Sequence, residues 1–213
     1  MSSGLASAVA RTTMSLKLIL RYVFVAAGGI VGFPLAIVPW LERKLSTSEI
    51  AFNVCAQIAA LFPGQPGNFI RAAYYLLALE SFHPTAVVSF GSYFSKRGTH
   101  VAAHAGIGAY CVVGLADIGA RVRIASRVSL VSGLNYHGRA ADIGNPVKPP
   151  VVVTRLSIGE RTWIGEGAIV GANVGRGCMI AVGSVVTSEI PDFSVVMGNP
   201  ARLVPGAAGV AGK

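Results

Sequence analysis

Ile158–Val186 reads IGERTWIGEGAIVGANVGRGCMIAVGSVV. Branched aliphatics stand six apart at Ile158, Ile164 and Val170, each followed by glycine at Gly159, Gly165 and Gly171. The register slips by two and resumes at Val174, Ile180 and Val186. A beat of six is neither the 3.6 period of a helix nor the 2 of a strand. It is the repeat of a parallel β-helix. Each hexapeptide then forms one flat side of a triangular coil, with its aliphatic pointing into the prism. The glycine follows where a Cβ would crowd the turn. Stacked coils bond along the axis at about 4.8 Å, and no coil is stable without its neighbours.

Working outward, the same beat appears at Val101, Ile107 and Val113, loses one residue to Ile118, and continues at Ile124 and Leu130. Coils are therefore predicted over about residues 85–133 and 153–188, with Val87–Phe94 as the first side. Between them Leu134–Pro150, LNYHGRAADIGNPVKPP, breaks the beat completely. Long irregular loops in compact domains are usually functional. A prism filled with Ile, Val and Ala holds no internal cavity, so a site belongs on the outside, where a loop or a neighbouring chain makes a cleft. His137, on this excursion, is the candidate general base, because imidazole accepts a proton near neutral pH. His100 and His104 fall at different corners of a six-residue side with no third histidine stacked on them, so no metal site is expected. His83, before Pro84, is read as structural.

The composition is apolar for a soluble protein: 53% hydrophobic, 13% charged, net charge +9. This balance points to a membrane contact or a large oligomer interface. The basic residues are scattered or flank apolar runs, without an aromatic-interleaved stripe, which argues against nucleic acid. Cys55, Cys111 and Cys178 are far apart and form no CxxC or Cys/His cluster, so they are expected to be reduced thiols.

Residues 1–13 are small and polar and read as a frayed end. Residues 22–41, YVFVAAGGIVGFPLAIVPWL, carry no charge and are long enough to cross a bilayer. Gly28, Gly29, Gly32 and Pro34 are expected to weaken or kink the centre of this run. Arg11, Lys17 and Arg21 precede it and Arg43 and Lys44 follow it. A simple span is asymmetric in flanking charge, so equal flanks favour a re-entrant segment over a spanning one. Ser48 opens a second helix ending near Pro63-Gly64, and a third runs from about Asn68 to Phe82. Arg71 and Glu80 on the latter are expected to be solvated or snorkelling.

The segment from Ile158 through TWIG, GSVVT, IPD and GNPAR to Val204 closely resembles hexapeptide-repeat acyltransferases. These include galactoside, maltose, serine and exopolysaccharide O-acetyltransferases. Coils 101–133 and the loop around His137 match more loosely, and residues 1–82 resemble the membrane-associated N-terminal portion of some polysaccharide-modifying members.

The resemblance implies a mainly β chain: a left-handed parallel β-helix with an α-helical, membrane-associated N-terminal region. It implies a homotrimer, with acetyl-CoA as acyl donor in the groove between adjacent prisms, and no metal. His137 would deprotonate the acceptor hydroxyl. A carboxylate would orient it: Asp142 is nearest in sequence, while Asp117 or a neighbour's residue is an equal alternative. Trp163 and Glu166 would line the pantetheine groove, Val182 and Gly183 would offer backbone groups, Thr187 and Ser188 would sit farther along, and Arg202 would face the nucleotide phosphates. Ser188 replaces the lysine usual in the family. The glycines are read mainly as coil geometry.

The expected organisation is a helical membrane-associated region over 1–82, a coil domain over 83–204 with the excursion 134–150, and a disordered tail over 205–213. The expected activity is O-acetylation of a sugar hydroxyl on a polysaccharide or lipid-linked glycan precursor, at the cytoplasmic face of the inner membrane. A catalytically silent trimeric scaffold at the membrane, or a serine-type small-molecule acetyltransferase, are the alternatives.

Overall fold

The computed structural model describes residues 2–133 and 153–209. Three helices, α1 (Ser2–Leu45), α2 (Ile50–Ala60) and α3 (Gly64–Ala78), precede a run of short strands. These stack into three faces of a prism. The first face holds β1 (Ser81–Phe82), β4 (His100–Val101), β7 (Ala116–Ile118) and β10 (Leu156–Ile158). The second holds β2 (Val87–Val88), β5 (Gly106–Ile107), β8 (Arg123–Ile124), β11 (Trp163–Ile164), β13 (Met179–Ile180), β15 (Ser194–Met197) and β16 (Arg202–Ala208). The third holds β3 (Tyr93–Phe94), β6 (Val112–Val113), β9 (Ser129–Leu130), β12 (Ile169–Val170) and β14 (Val185–Val186). All pairings are parallel except β15 with β16.

The six-residue beat is the inward register. Val101, Ile107, Val113, Ile118, Ile124, Leu130, Ile158, Ile164, Val170, Val174, Ile180 and Val186 are all buried. Each is partnered by its counterpart one coil away, as Ile164 is by Ile124 and Ile180. Apolar burial contributes about 25 cal/mol per Å². Replacing Ile164 by alanine should therefore cost about 2–5 kcal/mol, read from the denaturant midpoint of unfolding.

At Gly159 and Gly165 the glycine after the aliphatic is required, for a different reason from the one its sequence suggests. Gly159 and Gly165 do not carry the left-handed turn. A Cβ on Gly159 would lie 2.3 Å from Arg176 N and one on Gly165 would lie 2.6 Å from Val182 N, so stacking on the next coil excludes it. The left-handed turn falls two residues later, at Arg161 (φ 60°) and Gly167 (φ 69°). His104, Arg121, Arg161, Gly177 and Phe193 form one such column, between the first and second faces. Gly91, Tyr110, Arg127, Gly167 and Gly183 form the other, between the second and third. The remaining corner, from third face back to first, is the irregular one and carries the excursion.

The helices close one end of the prism. A coil end is an open sheet edge whose backbone groups need partners. Arg21 donates to Pro84 O (2.9 Å) and Ala86 O, Arg71 Nε to Val88 O (2.8 Å), and Gly91 N to Ala60 O (2.9 Å). Arg71, expected to be solvated, is fully buried. Its guanidinium has five N–H donors in a fixed fork, and it also reaches Phe62 O and Asn68 Oδ1, both at 2.6 Å. Burial lowers its basicity from the ordinary arginine value. Tyr75 packs edge-on to Phe94 at 4.8 Å and seals the first coil.

Several other sequence expectations are corrected. Residues 2–13 are helical, as the start of α1, and are not a frayed end. α1 continues as one helix through Gly28, Gly29, Gly32 and Pro34, and Gly28 and Gly32 form a packing seam with α3. A Cβ on Gly28 would meet Phe69 C of α3 at 2.7 Å, and one on Gly32 would meet Ile70 O at 2.7 Å. α3 starts four residues before the expected Asn68 and ends at Ala78. The coils extend beyond the predicted end at 188: Ile190 bridges Val174, and β15 adds a further side. Residues 205–208, expected in a disordered tail, belong to β16, which folds back on β15 after the cis Asn199–Pro200 turn.

The three cysteines are free and buried. Burial raises all three thiols above their ordinary value. A thiol reagent at neutral pH should therefore react with the native protein only at its unfolding rate, and should titrate all three once denaturant is added.

Candidate active site

His137 and Asp142 lie outside the described residues; the two feet of their excursion do not. Val131 N bonds Val170 O at 2.8 Å, and Leu156 N bonds Leu115 O at 3.0 Å. Both ends are thus anchored to neighbouring coils at the irregular corner. The return foot is fixed further by Arg155, whose Nη1 donates to Asp117 Oδ1 (2.7 Å) and Gly98 O (2.8 Å). The same Asp117 oxygen pairs with His100 Nδ1 at 2.8 Å, and His100 Nε2 faces Glu80 Oε2 at 3.4 Å. This charged cluster on the first face was missed from the sequence. Its signal was available: His100 and Asp117 directly precede the inward Val101 and Ile118, so both point outward and stack one coil apart. Glu80, expected to be solvated, belongs to this cluster.

Beside the departing foot, Ser132–Gly133, the third face bears a groove of about 560 Å³. Asn53 of α2, Lys96, Val112, Ser129 and Ser132 line it. A cation, an amide and two hydroxyls converging beside apolar surface suit a polar, hydroxyl-rich ligand. Lys96 is held by Glu49 at 2.9 Å. A second groove of about 430 Å³ shares Asn53 and Lys96 and runs along α2 past Ile50 and Val54.

The positions matched to donor binding fall into two sets. Trp163 lies on the second face, stacked between Arg123 and Met179. Glu166, Val182 and Gly183 adjoin it at the second-to-third corner, where Gly183 N bonds Glu166 O at 2.8 Å. Glu166 also pairs with Arg127 at 3.3 Å, and Val182 is 67% exposed. No atom would meet a Cβ on Gly183, so its surroundings are open. Thr187 and Ser188 lie beyond β14 at the irregular corner, on the excursion's side of the prism. Arg202 is exposed in β16, at the far end. One chain therefore keeps the two sets apart, on either side of the third face.

No family model matches the chain. Serine acetyltransferase 2 of Arabidopsis thaliana is 38% identical over 102 residues, which are 41% of this chain and 32% of that protein. The 2,3,4,5-tetrahydropyridine-2,6-dicarboxylate N-acetyltransferase of Staphylococcus aureus is 33% identical over 82 residues, 37% of this chain and 34% of that protein. The chain spans about a third of the length of these curated relatives. A crystal structure of a maltose O-acetyltransferase from Clostridium difficile superposes with TM-score 0.55 at 17% identity, over 77% of this chain and 87% of that one. The fold and its stacked hexapeptides define a hexapeptide-repeat β-helix. Within that class, this chain's relatives are acetyltransferases.

Proposed function

We propose that the chain is an acetyl-CoA-dependent O-acetyltransferase acting on a sugar hydroxyl of a polysaccharide or lipid-linked glycan precursor at the cytoplasmic face of a membrane. The observation that carries this reading is the groove lined by Lys96, Ser129 and Ser132 at the foot of the His137 excursion. The second groove, which shares Asn53 and Lys96 and runs along α2, gives room for the rest of a long acceptor.

In this reading His137 takes the proton from the acceptor hydroxyl as its oxygen attacks the thioester carbonyl. Backbone N–H groups hold the resulting oxyanion. Collapse breaks the C–S bond, and the leaving thiolate takes the proton back from the imidazolium. The products are the acetyl ester and free CoA. Asp142 or Asp117 orients the imidazole.

The two donor-binding sets become one site when a second prism lies alongside. The excursion corner with Thr187 and Ser188 then faces the neighbour's Trp163, Glu166, Val182 and Gly183. Ile169, beyond the groove on the intervening third face, leaves exposed apolar surface, as an interface between copies needs. A homotrimer closes three such seams, with Arg202 at the phosphate end of each.

A small-molecule acceptor is the second reading, favoured by the likeness to a serine acetyltransferase. The test is release of the CoA thiol, measured with membrane glycolipid, soluble glycan or serine as acceptor. Release that depends on the glycan supports the proposal, release with serine alone supports the second reading, and no release with any acceptor overturns both.

A further inference from the structure

The apolar run of α1 is bound to the prism at both of its ends. At its start, Arg21 donates to Pro84 O and Ala86 O of the first coil. At its end, Glu42 receives Arg97 Nη2 at 2.7 Å, and Arg97 lies at the close of that same coil. The backbone N–H groups of Ala51 and Phe52 also bond Glu42, at 2.8 and 3.0 Å. Between these anchors one side of the run packs inward, with Gly28 and Gly32 against α3 and Val25, Leu35, Ala36 and Pro39 wholly or partly buried. The rest of its perimeter is exposed and apolar, with Val23 58%, Ile30 79% and Ile37 52% exposed.

This geometry excludes two dispositions. Arg21 and Glu42 are about 31 Å apart along a helix rising 1.5 Å per residue, close to the roughly 30 Å of a bilayer core. Were α1 to stand upright, the first coil, fixed to both ends, would be drawn into hydrocarbon with its polar outer face. A segment that dips and returns needs a reversal, and α1 has none between Ser2 and Leu45. A helix fixed at two corners of one coil lies across the coil axis.

The exposed perimeter also indicates what covers it. A protein partner covers a stripe, whereas a fluid apolar phase covers every free side. The run contains no acid, and Glu42, the first after it, is turned inward to Arg97. Lys17 precedes the run, Arg43 and Lys44 follow it, and Lys44 Nζ sits 4.0 Å over the Trp40 ring. Cations flanking an apolar helix are drawn to an anionic lipid surface.

We propose that α1 lies in the plane of an anionic lipid–water interface, so that the prism stands end-on with its first coil nearest the membrane. This rests on the membrane association proposed above and replaces both the spanning and the re-entrant dispositions expected from the sequence.

The test uses the full chain with one spin label at a time at Val23, Ile30 or Ile37, on vesicles of phosphatidylcholine with and without phosphatidylglycerol. Relative accessibility to oxygen and a nickel chelate gives the depth of each label. All three are expected at similar depth, within about 5–10 Å of the headgroup boundary, with binding at least about tenfold weaker without the anionic lipid. A difference of about 21 Å between Val23 and Ile37, the rise of fourteen helical residues, would establish a span. A deep Ile30 between two shallow ends would establish a dip. Either result overturns the in-plane arrangement and leaves membrane association standing. Failure to float with any vesicle overturns both.

Discussion

His137→Ala is expected to lower acetyl transfer by about 10²–10⁴-fold, the usual contribution of a positioned general base, while acetyl-CoA binding stays within about twofold. The separation follows from the layout. The positions proposed to bind the donor, Trp163, Glu166, Val182 and Gly183, lie on the coil itself, held by strand pairing and corner hydrogen bonds. His137 belongs to the excursion that leaves the coil after Val131 and rejoins it at Leu156, apart from those strands. The loss should appear in kcat. Wild-type turnover in the variant would remove His137 from the chemistry and leave the β-helix intact.

The second large effect is expected from Gly28→Leu or Gly32→Leu. At either position the new Cβ meets backbone of α3 at 2.7 Å, and backbone does not rotate away. Overpacking of this kind costs about 1–3 kcal/mol and occasionally more. Here the strain is relieved by lifting α1 off α3. Thermal unfolding should become two-step, and protease should cut near Ser46–Glu49 while the coil persists. Gly29→Ala is the control, because the atoms nearest its Cβ belong to the Phe33 ring, a side chain that moves aside. Equal damage from all three substitutions would mean that the seam is not where α1 is held.

The coil was legible in the sequence because its selection rule is local. Each hexad aliphatic packs against residues one coil away, so the spacing Ile158, Ile164, Val170 transmits the fold directly. The slips in the beat were legible too, though not their meaning. The steps from Phe94 to Val101, Val113 to Ile118, Leu130 to Ile158 and Val170 to Val174 all fall at one corner. The other two corners repeat a left-handed turn three residues after the aliphatic, which fixes their length. The variable corner is free to carry an excursion, and the candidate site is there.

The helical region was less legible because its partners are remote in sequence. Arg71 reads as a surface cation until the orphan carbonyls of the first coil are in view. Gly28 and Gly32 read as weak points until α3 is laid against them. The pairing of His100 with Asp117 required the coil register, and β16 required the reversal at Asn199–Pro200 that brings Leu203 beside Val196. The division of the proposed donor-binding positions between two corners was hidden for the same reason. Spacing gives depth in the prism, while the corner depends on counting hexads through the slips.

Calorimetric titration of acetyl-CoA into the purified full chain tests the central claim most directly, because the proposed seam exists to hold that donor. Saturable binding of one acetyl-CoA per chain, weakened by substitution of Trp163 or by a bulky residue at the open Gly183, is the predicted result. A flat titration with protein whose coils are folded would contradict the account and leave a β-helix without a transferase site.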